Sequence, residues 1–233
     1  MSYFGETESS NPVEQYLSWK GHEEDWFFVF WDKDKEENVK IDLNEFIILK
    51  LWFSIWGYDK PNKKRMFSNE VQKLNKEQFL VKYRDESKTP IWEWYYEYIK
   101  DSLKAKGGKL QRVITAYDVV TGKIMKFSLS GTAFYEFGQF LKTGKRNSSR
   151  ISYKGSVAYT VNEWTRDEKI YKKPSFEWAG DITENELEKC KQLCELVRNY
   201  DESFKWNYNA TDPSPISDVE EIDKWDPDDD LPF

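Results

Sequence analysis

EFIILKLWFSIW, residues 45–56, reads in two ways. In a strand, where side chains alternate between faces, Ile47, Leu49, Leu51, Phe53 and Ile55 make one wholly apolar face. Phe46, Ile48, Lys50, Trp52, Ser54 and Trp56 make a second face that mixes rings with a cation and a hydroxyl. A helix is also open to so apolar a stretch. The alternation favours the strand, and with it a mainly β chain whose sheet backs a buried face onto a ring-bearing, partly polar one.

Upstream, WFFVFW (26–31), the polar turn DKDKEEN and VKIDL (39–43) predict a β-hairpin, with the two-sided apolar first strand central in its sheet. Residues 1–25 are polar and acidic and read as a loose N-terminal arm. Downstream, GYDKPNKKR (57–65) is a basic loop, followed by short strands at 66–71 and 78–84, where FLVKYR interleaves Lys82 and Arg84 with Phe79, Val81 and Tyr83. Residues 91–104 predict a helix that Gly107-Gly108 ends. Strands at 109–120 and 123–130 join through Thr121-Gly122. An aromatic helix at 132–142 then leads through the basic loop TGKRNSSR to strands over 150–172. Thr183 and Glu186 match a capping box opening a helix to about Asn199. From Thr211 onward Pro, Asp and Ser dominate without apolar periodicity, which predicts disorder. The expected organisation is an arm (1–25), one domain (26–210) and an acidic tail (211–233).

The chain has 233 residues, of which 39% are apolar and 17% aromatic, including 11 Trp. Its apolar material is thus concentrated in large rings, which serve as core or as stacking platforms. The net charge of −7 hides a polarised molecule. Residues 212–233 carry nine carboxylates against Lys224, whereas 100–154 hold twelve Lys or Arg against Asp101, Asp118 and Glu136.

No apolar run approaches the roughly 18 residues of a membrane span, and MSYFGETESS has no basic-then-apolar leader pattern, so a soluble cytoplasmic protein is expected. Cys190 and Cys194, four apart, fall on one helix face with Leu187, Leu193 and Val197. Only His22 could join them on a metal, short of the four ligands of a structural zinc site, so neither metal nor cofactor is expected. Asp167-Glu168-Lys169 has an acid-x-Lys spacing seen in metal-dependent nucleases, but it falls in a charged run suited to a hairpin turn. The chain has no Gly-rich phosphate loop and no GxSxG elbow, and an enzyme is not expected.

Rings and cations interleave across 50–84 and 109–154. Sequence-independent binding of single strands uses cations to track phosphates and rings to stack bases. The candidates are Lys50, Trp52, Trp56, Tyr58, Lys63, Lys64, Arg65, Lys82, Arg84, Arg112, Lys123, Lys126, Lys145, Arg146 and Arg150. The tail closes on WDPDDDLPF, a carboxylate cluster directly before an aliphatic residue, a Pro and a ring. Charge attracts such a segment to a basic surface, and a terminal ring and carboxylate can dock beside Arg or Lys.

DDDLPF resembles the acidic tip of bacterial single-stranded DNA-binding proteins. The resemblance implies that Asp228, Asp229, Asp230, Leu231, Pro232 and Phe233 recruit replication and repair proteins, with Leu231 where Ile is more usual. FSNEV (67–71), between the basic loop and FLVKYR, resembles phage-encoded single-stranded DNA-binding proteins. That likeness implies an OB-type barrel with helical insertions, and a role in phage DNA replication, recombination and repair in the host cytoplasm. A protein-interaction adaptor without DNA binding, or a metal-dependent nuclease, stands as the alternative.

Overall fold

A computed structural model of the protein describes residues 11–20, 27–32, 35–41, 43, 45–84, 90–144, 155–166 and 169–203. The fold is mainly β, with three helices among the described residues, and its mixed sheet is not closed. The elements in order are β1 (Gln15–Lys20), β2 (Phe27–Asp32), β3 (Glu37–Ile41), β4 (Glu45–Asp59), β5 (Lys64–Ser68), β6 (Phe79–Tyr83), β7 (Trp92–Trp94) and α1 (Tyr96–Ala105). They continue with β8 (Gly108–Asp118), β9 (Ile124–Leu129), α2 (Gly131–Gly144), β10 (Gly155–Arg166), β11 (Lys169–Asp181) and α3 (Glu184–Ser203). Among the described residues no helix is long and apolar enough to cross a membrane. The chain divides into two compact units, and β4, β8 and α2 contribute residues to each.

The first unit takes its described residues from Met1–Leu51, Ile114–Leu129 and Glu136–Lys205. Its expected hairpin forms, with Phe28 opposite Ile41 and Phe30 opposite Val39. β2 is central as predicted, because β1 lies on its other side, with Leu17 opposite Phe30. Here the loose-arm expectation for 1–25 is corrected over 15–20. β1 pairs parallel with β9, Leu17 against Phe127, and buries Leu17. Neighbouring β8 and β9 turn through Gly122 at φ +73, where Asp118 accepts from Val120 N and Thr121 Oγ1.

Rings fill this unit's interior. Phe28 meets Phe127 at 4.8 Å between centroids, Phe46 meets Phe127 edge-on at 5.6 Å, and Phe137 meets Phe176 edge-on at 4.9 Å. α3 opens on the predicted capping box: Glu186 Oε2 accepts from Thr183 N at 2.8 Å, and Thr183 Oγ1 accepts from Glu186 N at 3.3 Å. The Thr183 hydroxyl, donating to Glu186 Oε2 at 2.7 Å, and then the Thr183 N–H hold the Glu186 carboxyl below its usual range. Cys190 is buried with Ile47 and Tyr117, and burial pushes its thiol up to about 11, so it behaves as a small apolar side chain.

The second unit takes its described residues from Trp52–Val113 and Ser130–Tyr135. β4, β5, β6 and β7 form an antiparallel meander. One face packs Ile55, Met66, Phe79 and Val81 against Ile99 and Leu103, which lie four apart on α1. The helix begins five residues later than expected, because Trp92–Trp94 pairs with β6 before the chain turns at Tyr95. Glu97 in its first turn and Lys104 in its last suit the helix dipole, and Gly107 at φ +76 stops it.

Candidate nucleic-acid interface

From residue 55, β4 alternates as its sequence dictates. Ile55, Gly57 and Asp59 are buried, while Trp56 and Tyr58 stand 48% and 42% exposed. Trp52 shares their side of the strand and is half-buried. In an antiparallel ladder, residues directly opposite share a face. Tyr58 pairs with Arg65, whose carbonyl accepts from Arg84 N at 2.9 Å. Trp56 pairs with Phe67, and Phe67 with Lys82. The meander therefore carries two rows on its ring face, Tyr58–Arg65–Arg84 and Trp56–Phe67–Lys82, roughly 5 Å apart from strand to strand.

The cations of this face differ in state. Arg65 and Arg84 are exposed, and among the described residues neither guanidinium meets a carboxylate. Lys82 is buried, and desolvation lowers the pKa of its ammonium. Lys64 alternates to the opposite face and lies 5.5 Å from the centroid of the Tyr83 ring. Lys63 is exposed at the hairpin tip, where its φ of +53 is unusual for a residue with a side chain.

Asp59 fixes that tip. Its carboxylate accepts from Asn62 N at 3.2 Å, from Asn62 Nδ2 at 2.9 Å and from the Tyr83 hydroxyl, with Lys106 Nζ at 3.6 Å. The Tyr83 and Asn62 bonds, aided by Lys106, hold its carboxyl down at about 2. Below the tip, Ile55 N donates to Ser68 Oγ. Asn69 holds the irregular end of β5, accepting from Leu80 N at 2.7 Å and donating to the Gln78 carbonyl. FSNEV is thus the segment that presents Phe67, bends through Asn69 and buries Val71. Gly57 is required because a Cβ there would stand 2.5 Å from both the Gly107 carbonyl oxygen and Gly108 Cα.

The structure brings together Trp52, Trp56, Tyr58, Arg65, Lys82 and Arg84, with Lys63 at the adjoining tip. Lys50 belongs to the first unit, where its ammonium pairs with Asp201 of α3 at 2.5 Å and is nearly buried, so it serves as a packing anchor. Lys123 and Lys126 also belong to the first unit, at the start of β9 and within it. Arg112 is buried on the face opposite the rings, beside Phe53. Lys145, Arg146, Arg150, His22, the Asp167-Glu168 pair and the whole of 211–233 lie outside the described residues. Phe67 was not among the candidates. Its signal was present, since a hairpin that places Tyr58 opposite Arg65 necessarily places Trp56 opposite Phe67.

Among the described residues no three His, Cys, Asp or Glu stand close enough together to hold a metal ion. No protein-family model, curated protein or solved structure matches the chain.

Proposed function

We propose that the ring face of the meander binds single-stranded DNA without sequence preference, and that the tail recruits replication or repair proteins. The observation that carries the DNA reading is the register: half-exposed Tyr58 stands in one row with the exposed Arg65 and Arg84, and half-exposed Trp56 stands in the row beside it. An unpaired base offers its π-face to a ring, while the neighbouring phosphates reach arginines one and two strands away. A duplex keeps its base faces stacked and has no equivalent use for the rings. The recruiting role rests on the resemblance of Asp228–Phe233 to the acidic tip of bacterial single-stranded DNA-binding proteins. Action in phage replication, recombination and repair within a bacterial cytoplasm, on an OB-type core, belongs to the same reading. The DNA-binding part needs only the ring face, whose four strands hold it whether or not a barrel closes.

Titration of the tryptophan fluorescence of the full chain with oligo-dT at low salt tests the proposal. Saturable quenching is expected, reduced in Trp56→Ala and weak with duplex DNA. No quenching at low salt would overturn the proposal and favour an adaptor whose rings meet protein.

A further inference from the structure

Arg112 of β8 is 9% exposed, and its guanidinium carbon lies 5.1 Å from the centroid of Phe53 and 4.6 Å from that of Phe134. The two ring centres stand 6.4 Å apart, so seen from the guanidinium carbon they lie roughly at right angles, and the rings flank the group on two sides without sandwiching it. The five N–H donors point outward in the plane of the group. Its Nε is wholly enclosed without an acceptor. Burial pulls the guanidinium down only to about 10, so the group remains charged at neutral pH. A largely buried charge with an unpaired donor is costly, and proteins normally supply a counter-ion.

A second feature points to the same ligand chemistry. Phe134 stands in the first turn of α2, a 14-residue helix with no acidic side chain in that turn. Its positive end is therefore uncompensated by a carboxylate of its own. Gly131, at φ +57, opens the helix onto space, since a Cβ there would meet nothing within 4 Å.

We infer that Arg112, flanked by Phe53 and Phe134, is the receptor for a small oxyanion of the phosphate class. A planar fork held against two rings is pre-organised for two-point contact with tetrahedral oxygens, so little side-chain freedom is lost on binding. The inference is independent of the ring face, because Arg112 lies on the opposite side of the meander. The anion is either free phosphate or a phosphodiester of a nucleic-acid backbone.

Thermal melts of the full chain in chloride and in inorganic phosphate, at matched ionic strength, test this for the wild type, Arg112→Met and Arg112→Lys. Phosphate stabilises proteins generally, so the difference between chains is the readout. The wild type should gain a saturable increment of roughly 3–6 °C at ten times the dissociation constant. Arg112→Met should show only the general effect, and in chloride should melt no lower than the wild type, because it removes a largely buried charge. Arg112→Lys keeps the charge without the fork and should lose most of the increment. Should Arg112→Met fail to fold, the Nε–H resonance of Arg112 in the wild type, followed during phosphate addition, decides alone. A phosphate response equal in wild type and variants, or an unmoved Nε–H resonance, overturns the inference. Repeating the titration with an abasic phosphodiester oligomer separates the sources: a response to the oligomer alone assigns a nucleic-acid backbone, and a response to phosphate alone assigns the free ion. Oligo-dT quenching reports the ring face separately, so either reading can fail without the other.

Discussion

Removing Arg65 and Arg84 together tests the ring face more sharply than neutralising the whole basic hairpin. The register puts both guanidinium groups on the Tyr58 row, exposed and without a carboxylate among the described residues. Lys64, next in sequence to Arg65, alternates to the other face and lies over Tyr83. Each phosphate contact on a single strand contributes about −0.7 to the slope of log affinity against log salt. Arg65→Ala with Arg84→Ala should therefore make that slope shallower by about 1.4, whereas Lys64→Ala should leave it unchanged. Between 50 and 200 mM salt, a slope difference of that size changes the relative affinity roughly sevenfold. Oligo-dT titrations of these three chains and of Arg65→Ala alone, at four or five salt concentrations, measure it. An unchanged slope in the double variant, or a Lys64→Ala slope as shallow as that of Arg65→Ala alone, would refute the assignment of faces.

Trp56→Ala should weaken oligo-dT binding by about 1–3 kcal/mol at every salt concentration with the slope preserved, because stacking is not ionic; its melting curve should stay near that of the wild type, since the ring is half exposed. Gly57→Ala should destabilise the chain by about 1–3 kcal/mol or more in urea melts, because its Cβ meets backbone atoms that cannot rotate away. Asp59, held at about 2 against an ordinary 3.8, contributes stability that is full above roughly pH 4 and lost as pH falls toward 2, so Asp59→Asn should flatten the acid limb of the melting profile over that window. Deleting residues 212–233, with their nine carboxylates, should tighten oligo-dT binding most at low salt, where screening is weakest, and equal affinities at low salt would remove the tail from competition with DNA.

What could be read beforehand follows the range of the forces involved. The capping box of Thr183 and Glu186, the Gly122 turn and the alternation of β4 all act over a few residues, and each forms as its local chemistry requires. The assignment of β4 faces agrees with burial at Ile55 and Trp56 and fails at the start of the strand. There Phe46 and Ile48 are buried along with Ile47, covered by residues far along the chain such as Phe127. Lys50 looked like a surface cation because its partner, Asp201, lies 151 residues away. β1 escaped notice because its partner strand β9 begins more than a hundred residues later and runs parallel, so no hairpin turn announces it. Arg112 sits in a run rich in lysine and arginine and reads as one more candidate phosphate contact, and only the meeting of β4, β8 and α2 buries it.

The two-residue repeat of β4 also governs how this chain can change length. Trp56 and Tyr58 face outward and Ile55, Gly57 and Asp59 inward solely by parity. Losing one residue between Trp52 and Ile55 would rotate everything on one side of the lesion by half a turn. A tryptophan would then point at the site of Ile55, and the Gly57 gap beside Gly108 would receive a side chain that cannot fit. Losing two residues would preserve both faces and shorten the ladder by one row. Homologous chains that differ in length across this strand are therefore expected to differ by even numbers, or to absorb an odd residue in a bulge such as the one Asn69 already supports on the facing strand.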